Sequence, residues 1–246
     1  MLSKCLPKGV SKHFIFLGDS VTYQMMVSFT KCTNPPFEGS SCGPWRLEID
    51  FENQSVLASS FYSSDGMVRV SRISHQFVLP SSGKLPSLLR ALTILKQNKV
   101  YDSFNTPTVW IINAGLHYNL QFTDLLESRR LYRRDIRGLL TWITINTKGV
   151  HYWRETTSTG SVKDLPDTAT LSTRFKFEFF SMEASLDLNE IVKEELKAFP
   201  SVGVIPIFYP TTIRAVPQYF PNDIRHFNAN AIYAFFTIFA YVLCQT

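Results

Sequence analysis

Three stretches of this chain run apolar without alternation and then stop abruptly: "FIFLG" at Phe14–Gly18, "TVWIINAG" at Thr108–Gly115 and "VGVIPIFYP" at Val202–Pro210. A strand that reads this way is buried on both faces, so helices must cover each face of its sheet. The segments between them supply the helices. "VTYQMMVSF" carries Val21, Met25, Met26 and Phe29 on one face, and "KLPSLLRALTILKQN" carries Leu88, Leu89, Leu92 and Leu95. Residues 123–144, with Leu125, Leu126, Leu139 and Leu140, and "LDLNEIVKEELKAF" read as two more helices. "WRLEIDFE", "SVLASSFYS" and "GVHYWRETT" read as further strands, and 156–173 as a long loop. Strands alternating with helices require right-handed crossovers. The expected fold is therefore α/β, a three-layer α/β/α sandwich with a mostly parallel central sheet, flavodoxin-like in plan.

No internal repeat and no linker divides the 246 residues, so 1–246 is read as a single domain. Hydrophobic residues at 45% against 18% charged call for a packed core rather than a disordered chain. Arg129, Arg130, Arg133, Arg134 and Arg137 fall on several faces of one helix with Glu127 and Asp135 among them. That pattern is a solvated helix surface, and no nucleic-acid partner is expected. No zinc spacing, Walker loop or dinucleotide fingerprint occurs, so neither metal nor cofactor is expected. The apolar stretch Ala229–Cys244 is short for a membrane span and reads as a core helix. The opening "MLSKCLPKGVSKH" lacks the apolar core of a signal peptide, which fits a cytosolic protein or a domain of a longer secretory or membrane-anchored precursor. Cys5, Cys32, Cys42 and Cys244 allow three full pairings, with Cys32 and Cys42 bracketing a Pro/Asn/Gly/Ser loop. Asn53-Gln54-Ser55 is a glycosylation sequon, relevant only in the secretory path.

Chemistry-bearing residues gather where the strands end. Gly18-Asp19-Ser20 sits at a strand-to-helix corner, where a helix offers unpaired N–H groups and the positive end of its dipole. A serine there can be a helix cap. It becomes a nucleophile when a base takes its proton and a third group orients the base. "PNDIRHFN" places Asp223 three residues before His226 between the last strand and the last helix. If the segment is a turn entering that helix, the spacing puts carboxylate and imidazole on one side. Candidate oxyanion donors are the N–H of Ser20, the Asn113 amide and Gly66 in "SSDGMVR".

Taken together, Gly18-Asp19-Ser20, a glycine-bearing loop, Asn113 and Asp223-x-x-His226 resemble the blocks of the SGNH (GDSL-type) hydrolases. More narrowly the chain resembles their PC-esterase branch, which includes the trichome birefringence-like polysaccharide O-acetyltransferases. Cys32 follows the serine block as in that group's "GDS…SLLC". "WIINAGLHY" is similar to its "N-S-G-x-W" block, and Tyr152–Thr156 to its "W-R-E/T-T" block. The chain departs from the branch at Thr22-Tyr23-Gln24, where Arg-Asn-Gln or Arg-Gln is usual, and at His117 and Tyr118, where tryptophans are usual.

The resemblance implies an SGNH-like fold and a serine O-acyl, chiefly O-acetyl, esterase or transferase acting on a carbohydrate. Ser20 would be the nucleophile, His226 the base and Asp223 its orienter. Tyr23, His117 and Arg154 are candidate substrate contacts, with a structural salt bridge below the strand end as the other reading of Arg154. The partner would be an O-acylated carbohydrate or a small acyl ester, with an acetyl donor if the enzyme is a transferase. It also favours a Golgi or extracellular setting. Two rivals stand beside this reading: a glycan- or protein-binding pseudoenzyme on the same fold, and a small-ester or lipid hydrolase.

Overall fold

The computed structural model describes residues 13–31, 46–52, 57–62, 68–74, 88–101, 106–121, 124–159, 167–170, 181–212, 219–220, 223–227 and 237–244. The strands are β1 (His13–Gly18), β2 (Arg46–Glu52), β3 (Leu57–Tyr62), β4 (Arg69–Ser74), β5 (Thr108–Ile112), β6 (Gly149–Arg154), β7 (Val202–Ile205), β8 (Tyr219–Phe220) and β9 (Asp223–Phe227). The first seven form one sheet in the order β2-β3-β4-β1-β5-β6-β7. From β4 to β7 the neighbours are all parallel. β3 and β2 extend the β4 edge in antiparallel fashion. β8 and β9 make a separate antiparallel pair.

Successive residues of a strand face opposite sides, and β1 uses both sides for the core. Ile15 and Leu17 pack on one face with three helices: α2 (Leu88–Gln97), α4 (Leu125–Asn146) and α5 (Met182–Leu196). Phe14 and Phe16 pack on the other with Val21, Met25 and Met26 of α1 (Ser20–Lys31). That second face also takes Phe227 and, from helix α7 at 237–244, Phe239 and Leu243. The sandwich read from the apolar runs is thus the fold observed. Each of these side chains contributes about 1.5–3 kcal/mol by leaving water. Short helices α3 (Tyr118–Gln121) and α6 (Phe208–Thr212) follow β5 and β7. Among the described residues, no helix is long and apolar enough to cross a membrane.

Four details differ from or refine the sequence reading. β4 was not foreseen, because "RVSRIS" mixes arginine and serine through a strand that lies against β1. Its Ser71 and Arg69 side chains are absorbed by a network at the amino ends of the strands. Ser71 Oγ meets His13 Nε2 at 2.6 Å and Ser60 Oγ at 2.5 Å, while Arg69 pairs with Asp50 at 2.8 Å. β7 stops at Ile205, and "FYP" opens α6 instead of extending the strand. The arginines of α4 are paired: Arg130 with Glu127, Arg134 with Asp135, Arg129 with Asp187, and Arg133 and Arg137 with the buried Glu195. The last two pairs and Arg129–Asp187 tie α4 to α5.

The fourth detail concerns the Asp223–His226 segment, which is extended as β9 and not a turn. Residues three apart share a side in a helix but alternate in a strand. The spacing argument for that pair therefore does not hold. Cys244 of α7 is disulfide-bonded to a cysteine outside the described residues, where the Cys32–Cys42 pair and the Asn53 sequon also lie.

Candidate functional site

After β1 the chain adds β4 on one side, then crosses by α2 to lay β5 on the other. Such a reversal leaves a crevice beyond the carboxyl ends of the two strands, here β1 and β5. Gly18-Asp19-Ser20 and Asn113-Ala114-Gly115 occupy those ends. The Asn113 N–H donates to Leu17 O at 2.9 Å, carrying the strand pairing one residue past β5. A Cβ on Gly18 would lie 2.5 Å from Thr22 Oγ1 and 2.8 Å from the Asn113 carbonyl. Glycine is what lets these two loops close on each other.

Asp19 is the cap of α1. Its Oδ1 accepts the N–H groups of Val21 and Thr22, each at 3.1 Å, and the Thr22 hydroxyl at 3.2 Å. These are the N2 and N3 donors that a helix cap takes. Ser20 follows the cap as the first helical residue and is half-buried. The alternative reading of Ser20 as the cap is therefore answered by Asp19. The hydroxyl of Ser20 is not needed to start the helix.

Beneath Asp19 lies Arg154, at the end of β6 and 1% exposed. Its Nη2 donates to Thr22 Oγ1 at 2.9 Å and approaches Asp19 Oδ1 at 3.4 Å. Its Nη1 donates to the Glu155 carbonyl at 3.1 Å. Burial lowers the pKa of this guanidinium, and the Asp19 charge works against that. A buried cation of this kind supports the corner from below, in the manner of the structural ion pair foreseen for Arg154.

The β5 and β6 loops are equally tied. Asn113 is fully buried, and its Nδ2 donates to the Arg154 carbonyl at 3.0 Å and to Thr156 Oγ1 at 3.3 Å. Its Oδ1 is buried without a hydrogen-bond partner among the described residues. Both amide hydrogens are engaged, so donating to an oxyanion would require sharing one of them. A Cβ on Gly115 would come 2.5 Å from Thr156 Oγ1, and the Tyr132 hydroxyl donates to Ala114 O at 2.6 Å. Asn189 of α5 fixes Thr156 by both its backbone groups, at 2.7 and 2.9 Å. Glu155 is half-buried and accepts the Phe208 N–H at 2.9 Å; burial raises its carboxyl pKa, and that hydrogen bond partly offsets the rise.

Of the remaining candidates, Tyr23 is exposed one turn after Ser20, with the Arg72 guanidinium 3.9 Å above its ring centroid. His117 is half-buried in the turn leading to α3. Gly66 and His75 lie outside the described residues, as do the side chains of Asp223 and His226. The backbone of β9 is described, and it contacts α1. Gln24 Nε2 donates to the Phe227 carbonyl at 3.2 Å, and the Phe227 N–H donates to Gln24 Oε1 at 3.3 Å. Phe227 follows His226 directly, and Gln24 follows Ser20 by one helical turn. Sequence reasoning did not assign Gln24. Its signal is a long amide side chain next to Met25 and Met26 on a helix that packs on the sheet.

Two other histidines are placed away from this edge. His13 opens β1, five residues or about 17 Å of extended chain from Gly18. Burial, reinforced by the Arg69 charge, holds its pKa down at about 3. His151 is buried with Nε2 2.8 Å from Thr147 Oγ1, and burial lowers its pKa to about 4. Neither stands where a base for Ser20 would.

No protein-family model and no curated protein sequence matches the chain. Among solved structures, it is similar to a lipase/acylhydrolase from Enterococcus faecalis. The TM-score is 0.50 at 11% sequence identity, with 95% of each chain covered. At that identity the likeness is one of fold, and it extends over the full α/β sandwich.

Proposed function

We propose that the chain is a serine-dependent O-acyl esterase or transferase of the SGNH type. In this reading Ser20 is the nucleophile and His226 the base, with Asp223 taken as the orienting carboxylate from the family resemblance and not from its spacing. The observation that carries it is that Ser20 opens α1 at the crevice, directly after the Asp19 cap, while the same helix, one turn on, bonds to the residue after His226. The fold shared with a lipase/acylhydrolase supports the same reaction class.

The chemistry follows the general serine pattern. Ser20 Oγ attacks the acyl carbonyl as its proton passes to His226. The tetrahedral oxyanion is met by the N–H of Ser20, with Asn113 and Gly66 as further donors. The C–O bond to the alcohol then breaks, and the His226 proton leaves with that alcohol. The acyl group remaining on Ser20 goes to water in an esterase, or to a sugar hydroxyl in a transferase. The family resemblance favours a carbohydrate carrying O-acetyl groups. Tyr23, exposed beside Ser20 and backed by Arg72, offers an aromatic surface for a sugar ring. The disulfide at Cys244 suits an oxidising compartment such as the Golgi or cell exterior.

The engagement of both Asn113 amide hydrogens favours one second reading, a binding module that keeps the fold without turnover. Acetate release from an O-acetylated polysaccharide and from p-nitrophenyl acetate tests the two. Turnover by the native chain that disappears in Ser20→Ala supports the enzyme. Equal rates in both proteins would remove Ser20 from the mechanism.

A further inference from the structure

Outside the site, most polar clusters of the described residues are closed on themselves. The buried Asp50–Ser60–Ser71–His13 network has serine, histidine and aspartate in one chain of bonds, but it is shut in at the amino ends of the strands. The arginines of α4 are matched by carboxylates. The contact between α1 and β9 is of another kind, because it joins the helix that opens with Ser20 to the strand that carries His226.

A side-chain amide has the same donor and acceptor as a peptide group. Gln24 uses both on a single residue, as a neighbouring strand would, and so closes the N–H and C=O of Phe227 at 3.3 and 3.2 Å. The Phe227 ring adds a second anchor, because it is fully buried among Val21, Met25 and Met26 of the same helix. Residues four apart on a helix are neighbours on one face, so the amide leaves α1 on the side that carries Ser20. The device recurs at the same edge, where Asn189 holds Thr156 by both backbone groups. In each case one amide side chain takes both the N–H and the C=O of a single residue at a loop or strand end.

We propose that Gln24 is a positioning residue for the reaction, clamping the strand that bears His226 to the helix that bears Ser20. The proposal rests on the assignment of Ser20 and His226 made above. Ser20 and His226 lie 206 positions apart in the chain, and the clamp joins their two elements directly. Displacing a catalytic group by about 1 Å costs on the order of 100-fold in rate. Losing two neutral hydrogen bonds of a half-buried side chain should disturb the global fold far less than that.

Three variants test this. Gln24→Met keeps the length and removes both bonds. Gln24→Glu keeps the acceptor for the Phe227 N–H, and only its protonated carboxyl can also donate to the Phe227 carbonyl. Ser20→Ala reports on the underlying reading. Each is compared with the native chain for kcat and KM on p-nitrophenyl acetate, amide hydrogen exchange at Phe227, and thermal melting. The expected result for Gln24→Met is faster exchange at Phe227 and a kcat about 10- to 100-fold lower, with KM within about 3-fold. For Gln24→Glu, the rate relative to the native chain should rise as pH falls and the carboxyl gains its proton. A packing role alone would not produce that pH dependence. If Ser20→Ala is inactive while both Gln24 variants keep the native kcat, the clamp is structural and the proposal is overturned with the mechanism intact. Undisturbed exchange at Phe227 in Gln24→Met overturns it equally. If Ser20→Ala turns over like the native chain, the nucleophile assignment falls and the clamp's catalytic role falls with it. Should Gln24→Met fail to fold, Gln24→Glu alone decides through its pH profile.

Discussion

His13 should make the protein acid-sensitive by an amount that follows from its burial. The imidazole is packed between Ser71 and Tyr101, at 2.6 Å from the Ser71 hydroxyl and 5.6 Å between ring centroids, with Arg69 nearby. Its pKa in the folded chain is about 3 against 6.5 for an ordinary histidine. As pH falls through 6.5 the unfolded chain takes up a proton that the folded chain refuses until about pH 3. The stability in question is therefore fully present above 6.5 and drains away as pH falls toward 3. Between pH 7 and pH 5 the loss attributable to this one group is about 2 kcal/mol at 1.36 kcal/mol per unit. His151, depressed to about 4, adds a loss of similar size over the same interval. His13→Gln retains a hydrogen-bonding amide for Ser71 and removes the titration. Urea unfolding of both proteins at pH 7 and pH 5 measures the difference. The drop in unfolding free energy between the two pH values should be about 2 kcal/mol smaller in His13→Gln. Ester turnover should be unchanged, because this imidazole is not at the crevice. An identical pH dependence in both proteins would mean that His13 titrates normally and that the network around Ser71 is not as described.

Two more perturbations address the serine corner. Arg154→Met leaves the buried Asp19 carboxylate without its cation and should cost about 3–5 kcal/mol in urea unfolding; adding Asp19→Asn should return part of that, and no recovery would deny the pairing. Gly18→Ala forces a Cβ to within 2.5 Å of Thr22 Oγ1. It should cost about 1–3 kcal/mol and lower turnover, and a variant as stable and active as the native chain would refute the close approach of the two loops.

The layered fold was legible because β1 and β5 are buried on both faces, and an unbroken apolar run cannot belong to a strand with one wet face. The corner at Gly18 was legible for the same reason, since a run that ends in Gly-Asp-Ser before a helical pattern marks both strand end and helix start. β4 was not, because its buried Ser71 and half-buried Arg69 are satisfied by His13, Ser60 and Asp50, which are distant in sequence. Nothing local announces such partners. The roles within the serine corner were also hidden: Asp19 and Ser20 are both good caps, and only the hydrogen bonds to Val21 and Thr22 distinguish them. The helical spacing assigned to Asp223 and His226 failed because β8 pairs with that segment and draws it out as a strand.

The central claim is that Ser20 is an activated nucleophile, and covalent labelling tests it without knowledge of the natural substrate. The native chain would be treated with a fluorophosphonate and its peptides sequenced by mass spectrometry, alongside Ser20→Ala and His226→Asn. The expected result is one phosphonyl adduct per chain on the peptide carrying Gly18-Asp19-Ser20, absent in Ser20→Ala and strongly slowed in His226→Asn. A native chain that stays unlabelled, or that carries the adduct on another serine, would contradict the account.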